Sequence, residues 1–162
     1  MKYAQSRGDE LLIVARDKEV VARLLRKENF DSVDSGIIRR GNFGRIIEYT
    51  ERTKKILSLA RKFKPDVLVA GDGFSIGPIG RILGIPSVSV SDTEDQGMIP
   101  TLAYKVVTNV VTPYCFMKDF GKRHTRFSGY YEMAYLNSKR FIPDPSVPTF
   151  YGVKKGEKYS VI

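Results

Sequence analysis

The 162-residue chain has one cysteine, one histidine and no tryptophan. A lone Cys115 excludes an internal disulfide and fits a reducing compartment. With only His124 beside it, no ligand cluster of the kind that holds a metal can be argued, and no cofactor motif is evident. No apolar run approaches the roughly 20 residues that a membrane-spanning helix needs. The stretch Met1 to Gly8 lacks the apolar core of a secretory leader, so the expected location is cytoplasmic. Acidic residues are also scarce, 18 against 27 lysines and arginines, for a net charge of +9. That balance points to an anionic partner or simply to a basic surface, and the dispersal of the basic residues keeps both readings open.

What is present centres on Lys64 to Asp95, KPDVLVAGDGFSIGPIGRILGIPSVSVSDTED. Val67 to Ala70 reads as a strand buried on both faces of a parallel sheet. Gly71-Asp72-Gly73 breaks it, and Ser75 is a suitable cap for a helix over Ile76 to Leu83, stopped by Gly84. Pro86 to Val90 is the next strand. A crossover with its own helix makes the two strands parallel and the unit right-handed.

Upstream, Leu11 to Ala15 reads as a strand, Lys18 to Asn29 as a helix capped by Asp17, and Asp31 to Ser35 as a short strand. Ile37 to Gly44 is loop-like and basic. A helix over Arg45 to Lys64 follows, with Ile46, Ile47, Ile56, Leu57, Ala60 and Phe63 on its dry side and Glu48, Arg52, Lys55 and Lys62 on its wet side. Downstream, Thr93 and Gln96 form a capping-box pattern for a helix reaching Lys105. Asn109 to Thr112 is a strand, Cys115 to Phe120 a short helical segment, Thr125 to Ser128 a strand and Met133 to Leu136 a helical turn. Residues 1–142 read as one domain and 143–157 as a proline-containing linker. Residues 157–162 read as one more strand. Both ends read as cut, and the first strand that usually sits centrally in a doubly wound sheet is not found.

Open parallel sheets bind ligands at the carboxyl ends of their strands. Gly71, Asp72, Gly73 and Ser75 reach that edge from one strand, and Asp92, Thr93 and Glu94 from the next. The glycine turn is neither GxGxxG nor a P-loop, so it specifies no nucleotide. Its backbone amides suit an anion, whereas the Asp72 carboxylate suits a sugar hydroxyl better; a plain turn capped by Ser75 is the bland alternative. Asp92 and Glu94 have the chemistry of a general base, or of residues favouring a helix N-terminus. Gly129, Tyr130 and Glu132 follow the last strand, where the adjacent tyrosines Tyr130 and Tyr131 suit stacking on a sugar or lipid or, equally, interface packing. Arg39, Arg40 and Arg45, in or beside the basic loop, suit a phosphate or an anionic lipid surface. His124 reads as a solvated loop residue and Cys115 as a small buried hydrophobe.

The Lys64–Asp95 stretch resembles the acceptor-side half of glycosyltransferase-B-fold proteins. The likeness extends to the muramyl-pathway N-acetylglucosaminyltransferase and the UDP-N-acetylglucosamine 2-epimerase superfamily. It is closer to a mostly archaeal family of unknown function numbered 354, which also resembles VARDKEVVARLL (Val14 to Leu25), SDTED (Ser91 to Asp95), GYYEMAYL (Gly129 to Leu136) and PDPSV (Pro143 to Val147). The resemblance implies an α/β fold: a Rossmann-like parallel sheet with helices on both faces, the N-terminal half of the two-domain architecture. It implies a glycosyltransferase whose nucleotide-sugar donor sits in a second domain, of which residues 158–162 would be only the first strand and the rest is absent from this chain. This half would hold a phosphate-bearing or lipid-linked acceptor, with peripheral membrane contact, and would be inactive alone. In that setting Asp92 and Asp72 are the expected catalytic groups, and Gly71, Gly73, Ser75, Thr93, Glu94, Gly129, Tyr130 and Glu132 the expected substrate contacts. The alternatives are a non-catalytic basic module for anionic ligands or nucleic acid, and a sugar-nucleotide epimerase fragment. No nucleic-acid motif is present, which speaks against the nucleic-acid form of the module.

Overall fold

A computed structural model describes residues 1–15, 19–36, 41–71, 73–93, 104–136, 141–154 and 156–160. The chain divides into two compact units, Met1–Phe127 and Ser128–Ile162. The first holds parallel sheets flanked by helices. Its order is α1 (Lys2–Ser6), β1 (Val14–Ala15), α2 (Glu19–Lys27), β2 (Val33–Asp34), α3 (Gly41–Phe63), β3 (Leu68–Ala70), α4 (Gly73–Leu83), β4 (Ser87–Val90), β5 (Asn109–Pro113) and β6 (His124–Phe127). β1 pairs with β2, and β3-β4-β5-β6 form a four-stranded sheet; every pairing is parallel. The expected βαβ unit is β3-α4-β4, in register Leu68↔Ser87 and Ala70↔Ser89. The second unit carries two one-turn helices, α5 (Met133–Leu136) and α6 (Val147–Phe150). Residues 157–160, expected to begin a strand, have no regular structure.

Local chemistry explains the helix ends. Gly84 takes a φ of 68°, and the Ile85 N–H donates to the Gly80 carbonyl at 2.9 Å, closing α4 in a Schellman motif. Asn29 does the same for α2 at φ 58°, with the Phe30 N–H donating to the Leu25 carbonyl at 2.9 Å. Helix α4 begins at Gly73, earlier than the sequence pattern suggests, so Ser75 lies buried inside the first turn and is not its cap. Helix α3 likewise begins at Gly41, taking in part of the expected loop. The expected helical segment over 115–120 is a turn and extended chain, followed by a short 3-10 turn at Gly121–Arg123.

The core lies where α3 and α4 cover one face of the four-stranded sheet. Ala60 of α3, Ile76 and Ile79 of α4, Leu68, Val110, Tyr104 and Val107 form one buried cluster. Opposite α4, β4 turns in only small residues, Ser87 and Ser89, both fully buried. The helix can therefore come close. A Cβ at Gly80 would stand 2.7 Å from the Ile85 carbonyl oxygen and 3.1 Å from Ser87 Cβ; one at Gly77 would stand 2.7 Å from a Val106 methyl. Pro78 sits inside α4 and has no N–H to give the Phe74 carbonyl. Tyr49 of α3 supplies the missing donor, its hydroxyl donating to the Phe74 carbonyl at 2.9 Å while the two rings lie 4.1 Å apart.

Burial departs from the periodic pattern in three places. Val67 and Val69 are 47% and 62% exposed, so β3 is covered on the Leu68 side only. Glu48, expected on the wet side of α3, is buried, whereas Ile46 and Ile47 are exposed. Cys115 is exposed, because the chain around it is a turn at the end of β5 and not a helix packed on the core.

Two variants test this packing. Gly80→Ala should lower unfolding free energy by about 1–3 kcal/mol, since the added methyl meets backbone that cannot yield. At an open helical site the same change would raise stability by about 1 kcal/mol, so urea melts read the sign directly. Tyr49→Phe should cost about 1–2 kcal/mol by leaving the Phe74 carbonyl without its donor; an unchanged midpoint would show that water replaces the hydroxyl.

Candidate functional site

Strands β3 and β4 deliver two short segments side by side at the carboxyl edge. Gly71 leaves β3 with its Cβ position 3.9 Å from the Val90 carbonyl oxygen at the end of β4. Ser91 extends β4 by one more ladder bond, its N–H donating to the Val111 carbonyl at 3.0 Å. The Ser91 hydroxyl is buried and accepts a hydrogen bond from the Tyr104 hydroxyl at 3.0 Å. Directly beyond this fixed residue, Asp92 and Thr93 are exposed. The Thr93 hydroxyl donates to Asp92 Oδ1 at 3.0 Å, and the other carboxylate oxygen has no partner among the described residues. A carboxylate on a rigid base with one oxygen free can accept a hydroxyl proton or orient a sugar hydroxyl.

Of the residues expected here, the structure brings Gly71, Gly73, Asp92 and Thr93 to one edge of the sheet. Gly73 and Ser75 are buried in the first turn of α4, where they support the edge and do not face outward. Asp72, Glu94, Arg39 and Arg40 lie outside the described residues, and Arg45 lies in the N-terminal part of α3. Gly129, Tyr130 and Glu132 belong to the second unit, where the Tyr130 carbonyl and the Glu132 carbonyl accept the first hydrogen bonds of α5. Tyr104 escaped the sequence reading because an isolated tyrosine gives no periodic signal; its role appears only once Ser91 is placed beside it. Among the described residues no group of three His, Cys, Asp or Glu side chains could hold a metal ion, and no helix is long and apolar enough to cross a membrane.

A second polar constellation lies at the β5–β6 side of the sheet. His124 is not solvated: its side chain is 2% exposed and is flanked by the rings of Phe116 and Phe120. Nε2 lies 2.8 Å from the Thr112 hydroxyl and Nδ1 lies 3.1 Å from the Asp119 carboxylate. Thr112 and the His124 ring are buried and only Asp119 reaches solvent, so this Asp-His-Thr line acts as a clamp between β5, β6 and the loop before β6. The hydrogen bond from His124, together with the Gly121 N–H at 3.1 Å, holds the Asp119 carboxyl below its usual range.

A family model described as "Protein of unknown function (DUF354)" matches residues 1–145. Six solved chains match the fold. One of them, titled "Crystal structure of acinetobacter baumannii MurG", superposes with a TM-score of 0.64 at 18% identity, over 79% of this chain and 39% of that one. The chain thus spans well under half the length of that neighbour. At this identity the likeness shows the fold, a glycosyltransferase-B-like arrangement of parallel strands and helices. No curated protein matches the chain.

The clamp predicts an acid response. A carboxylate with a depressed folded-state pKa adds stability above about pH 4, the unfolded value, and loses it as pH falls through the lower folded value. Asp119→Asn should therefore flatten the fall in melting temperature below about pH 4. Parallel curves for parent and variant would rule the contribution out.

Proposed function

The chain belongs to the DUF354 family of proteins of unknown function, and we propose, from its glycosyltransferase-B-like fold, that it is the acceptor-binding half of a glycosyltransferase using a nucleotide-sugar donor. The observation that supports this most is the exposed Asp92 carboxylate, fixed through Ser91 and Tyr104 at the sheet edge where open α/β folds bind ligands. In this reading Asp92 takes the proton of an acceptor hydroxyl as its oxygen attacks the anomeric carbon. The bond to the nucleoside diphosphate breaks, and that group leaves with the electron pair. The donor is held by a second domain outside these residues. Gly71 and Asp72 contact the acceptor, and Arg39, Arg40 and Arg45 meet a phosphate on the acceptor or an anionic membrane surface.

A second reading, a non-catalytic module for anionic ligands, is favoured by a different observation. Lys54, Ser58, Arg61 and Lys62 line a shallow groove of about 400 Å³ along α3, with Leu57 at its floor. None of the three cations has an ion-pair partner among the described residues. The two readings differ in what Asp92 does.

In the longer protein carrying the donor-binding half, Asp92→Asn should lower kcat about 10²–10⁴-fold. The donor KM should hold, since in this reading the second domain supplies the donor's binding contacts. Transfer of labelled sugar from UDP- and GDP-sugars to phosphate-bearing acceptors measures both. Turnover undiminished in Asp92→Asn would overturn the catalytic role. Absence of any transfer, with polyanion binding lost in a Lys54→Glu/Arg61→Glu variant, would favour the module.

A further inference from the structure

The turn after β5 leaves the sheet beside Asp92. β4 and β5 are hydrogen-bonded neighbours in parallel register, Val90↔Val111. The Ser91 N–H carries the ladder on to the Val111 carbonyl at 3.0 Å. Continued past Ser91, that register sets Asp92 opposite Pro113 and Thr93 opposite Tyr114, on chains about 4.8 Å apart. On this turn Tyr114 is 70% exposed and Met117, three residues on, is 85% exposed.

The turn is held firmly although its tip is exposed. The Tyr114 N–H donates to the Phe127 carbonyl of β6 at 2.9 Å, and the Phe116 N–H donates to the Pro113 carbonyl at 3.1 Å. Phe116, not Tyr114, is the side chain that this turn gives to the interior; it is 3% exposed, with its ring 6.0 Å from that of Phe120. The Phe120 ring in turn lies 4.7 Å from Tyr104, the residue whose hydroxyl fixes Ser91. One aromatic cluster therefore anchors both the turn that carries Tyr114 and the segment that carries Asp92. Side chains preset in this way cost little ordering when a ligand binds.

We propose that Tyr114, aided by Met117, is the platform on which the sugar ring of a phosphate-bearing acceptor rests while a ring hydroxyl meets Asp92. This deepens, and rests on, the reading of the carboxyl edge as an acceptor site. Tyrosine offers a flat apolar face to the C–H groups of a pyranose and a hydroxyl at its rim for the polar edge. A lipid chain would suit Tyr114 and Met117 but gains nothing from the Asp92 carboxylate and Thr93 hydroxyl on the neighbouring segment. A sugar has hydroxyls for both and an apolar face for the tyrosine.

The test is an NMR titration of the 162-residue chain, labelled at backbone amides, tyrosine rings and methionine methyls. Glucose 1-phosphate is the probe, and inorganic phosphate is the control that lacks a ring. Glucose 1-phosphate should shift the Tyr114 ring, the Met117 methyl and the Thr93 amide together, and inorganic phosphate should leave the first two in place. Tyr114→Ala should raise the Kd for glucose 1-phosphate about three- to tenfold, and Tyr114→Phe, which keeps the ring, should hold it within about twofold. An unmoved Tyr114 ring, an unchanged Kd in Tyr114→Ala, or equal shifts from inorganic phosphate overturns the proposal. Shifts at Tyr114 and Met117 without Thr93 also overturn it, because the ligand then sits away from Asp92. Binding to phosphatidylglycerol vesicles that is lost in Tyr114→Ala, with no glucose 1-phosphate shift, overturns it in favour of a lipid surface. None of these readouts needs a donor or turnover. Undiminished turnover in Asp92→Asn would remove the base and leave the platform, whereas a shifted Thr93 with Tyr114 unmoved would remove the platform alone.

Discussion

Helix α4 lies so close to β4 that only hydrogen fits at Gly80, between the helix and the Ile85 carbonyl and Ser87. That closeness sets much of what surrounds it. It requires small residues on the facing strand, and Ser87 and Ser89 supply them. It brings the first turn of α4, with buried Gly73 and Ser75, onto the end of β3. The helix is then locked at its far end by Gly84 and braced on α3 by Tyr49, whose hydroxyl makes good the donor that Pro78 lacks. Loosening any of these contacts would move the glycine turn and the end of β4 relative to each other.

Small polar residues in a core have to be satisfied locally. Ser87 and Thr108 do so reciprocally, each hydroxyl accepting from the other's N–H at 3.2 and 3.0 Å. Tyr104 reaches Ser91, and His124 joins Thr112 to Asp119. The Ser89 hydroxyl, fully buried, and the Thr53 hydroxyl are exceptions, with no partner among the described residues; such a group is destabilising by about 1–3 kcal/mol. The network holds the strand ends in one arrangement, which is what a carboxylate at Asp92 needs if it is to meet one particular hydroxyl and not a range of them.

Much of this was legible in the amino-acid sequence. The run from Val67 to Ala70, the glycines, and Gly84 before Ile85-Pro86 identify a parallel βαβ unit through local rules alone. Topology then places Gly71 and Asp92 at one sheet edge. Less legible were properties that depend on which neighbour covers a residue. Glu48 falls on the polar stripe of α3 yet is buried, and Ile46 falls on the apolar stripe yet is exposed. Val69 has the composition of a fully covered strand and is open on one side. His124, between two polar residues, looked solvated; Phe116 and Phe120 enclose it because the loop before β6 folds back onto β5.

The sequence by itself determined the class of fold, the direction of the strands and the segments that meet at the carboxyl edge. Each of these follows from periodicity, turn chemistry and the handedness of a crossover, all of which act within a few tens of residues. Only the tertiary structure decided that Tyr104 anchors Ser91, that Tyr49 completes α4 and that His124 is a buried clamp. These depend on contacts between residues far apart in the chain, where a single hydroxyl, ring or strand edge finds its partner by position and leaves no repeating mark in the sequence.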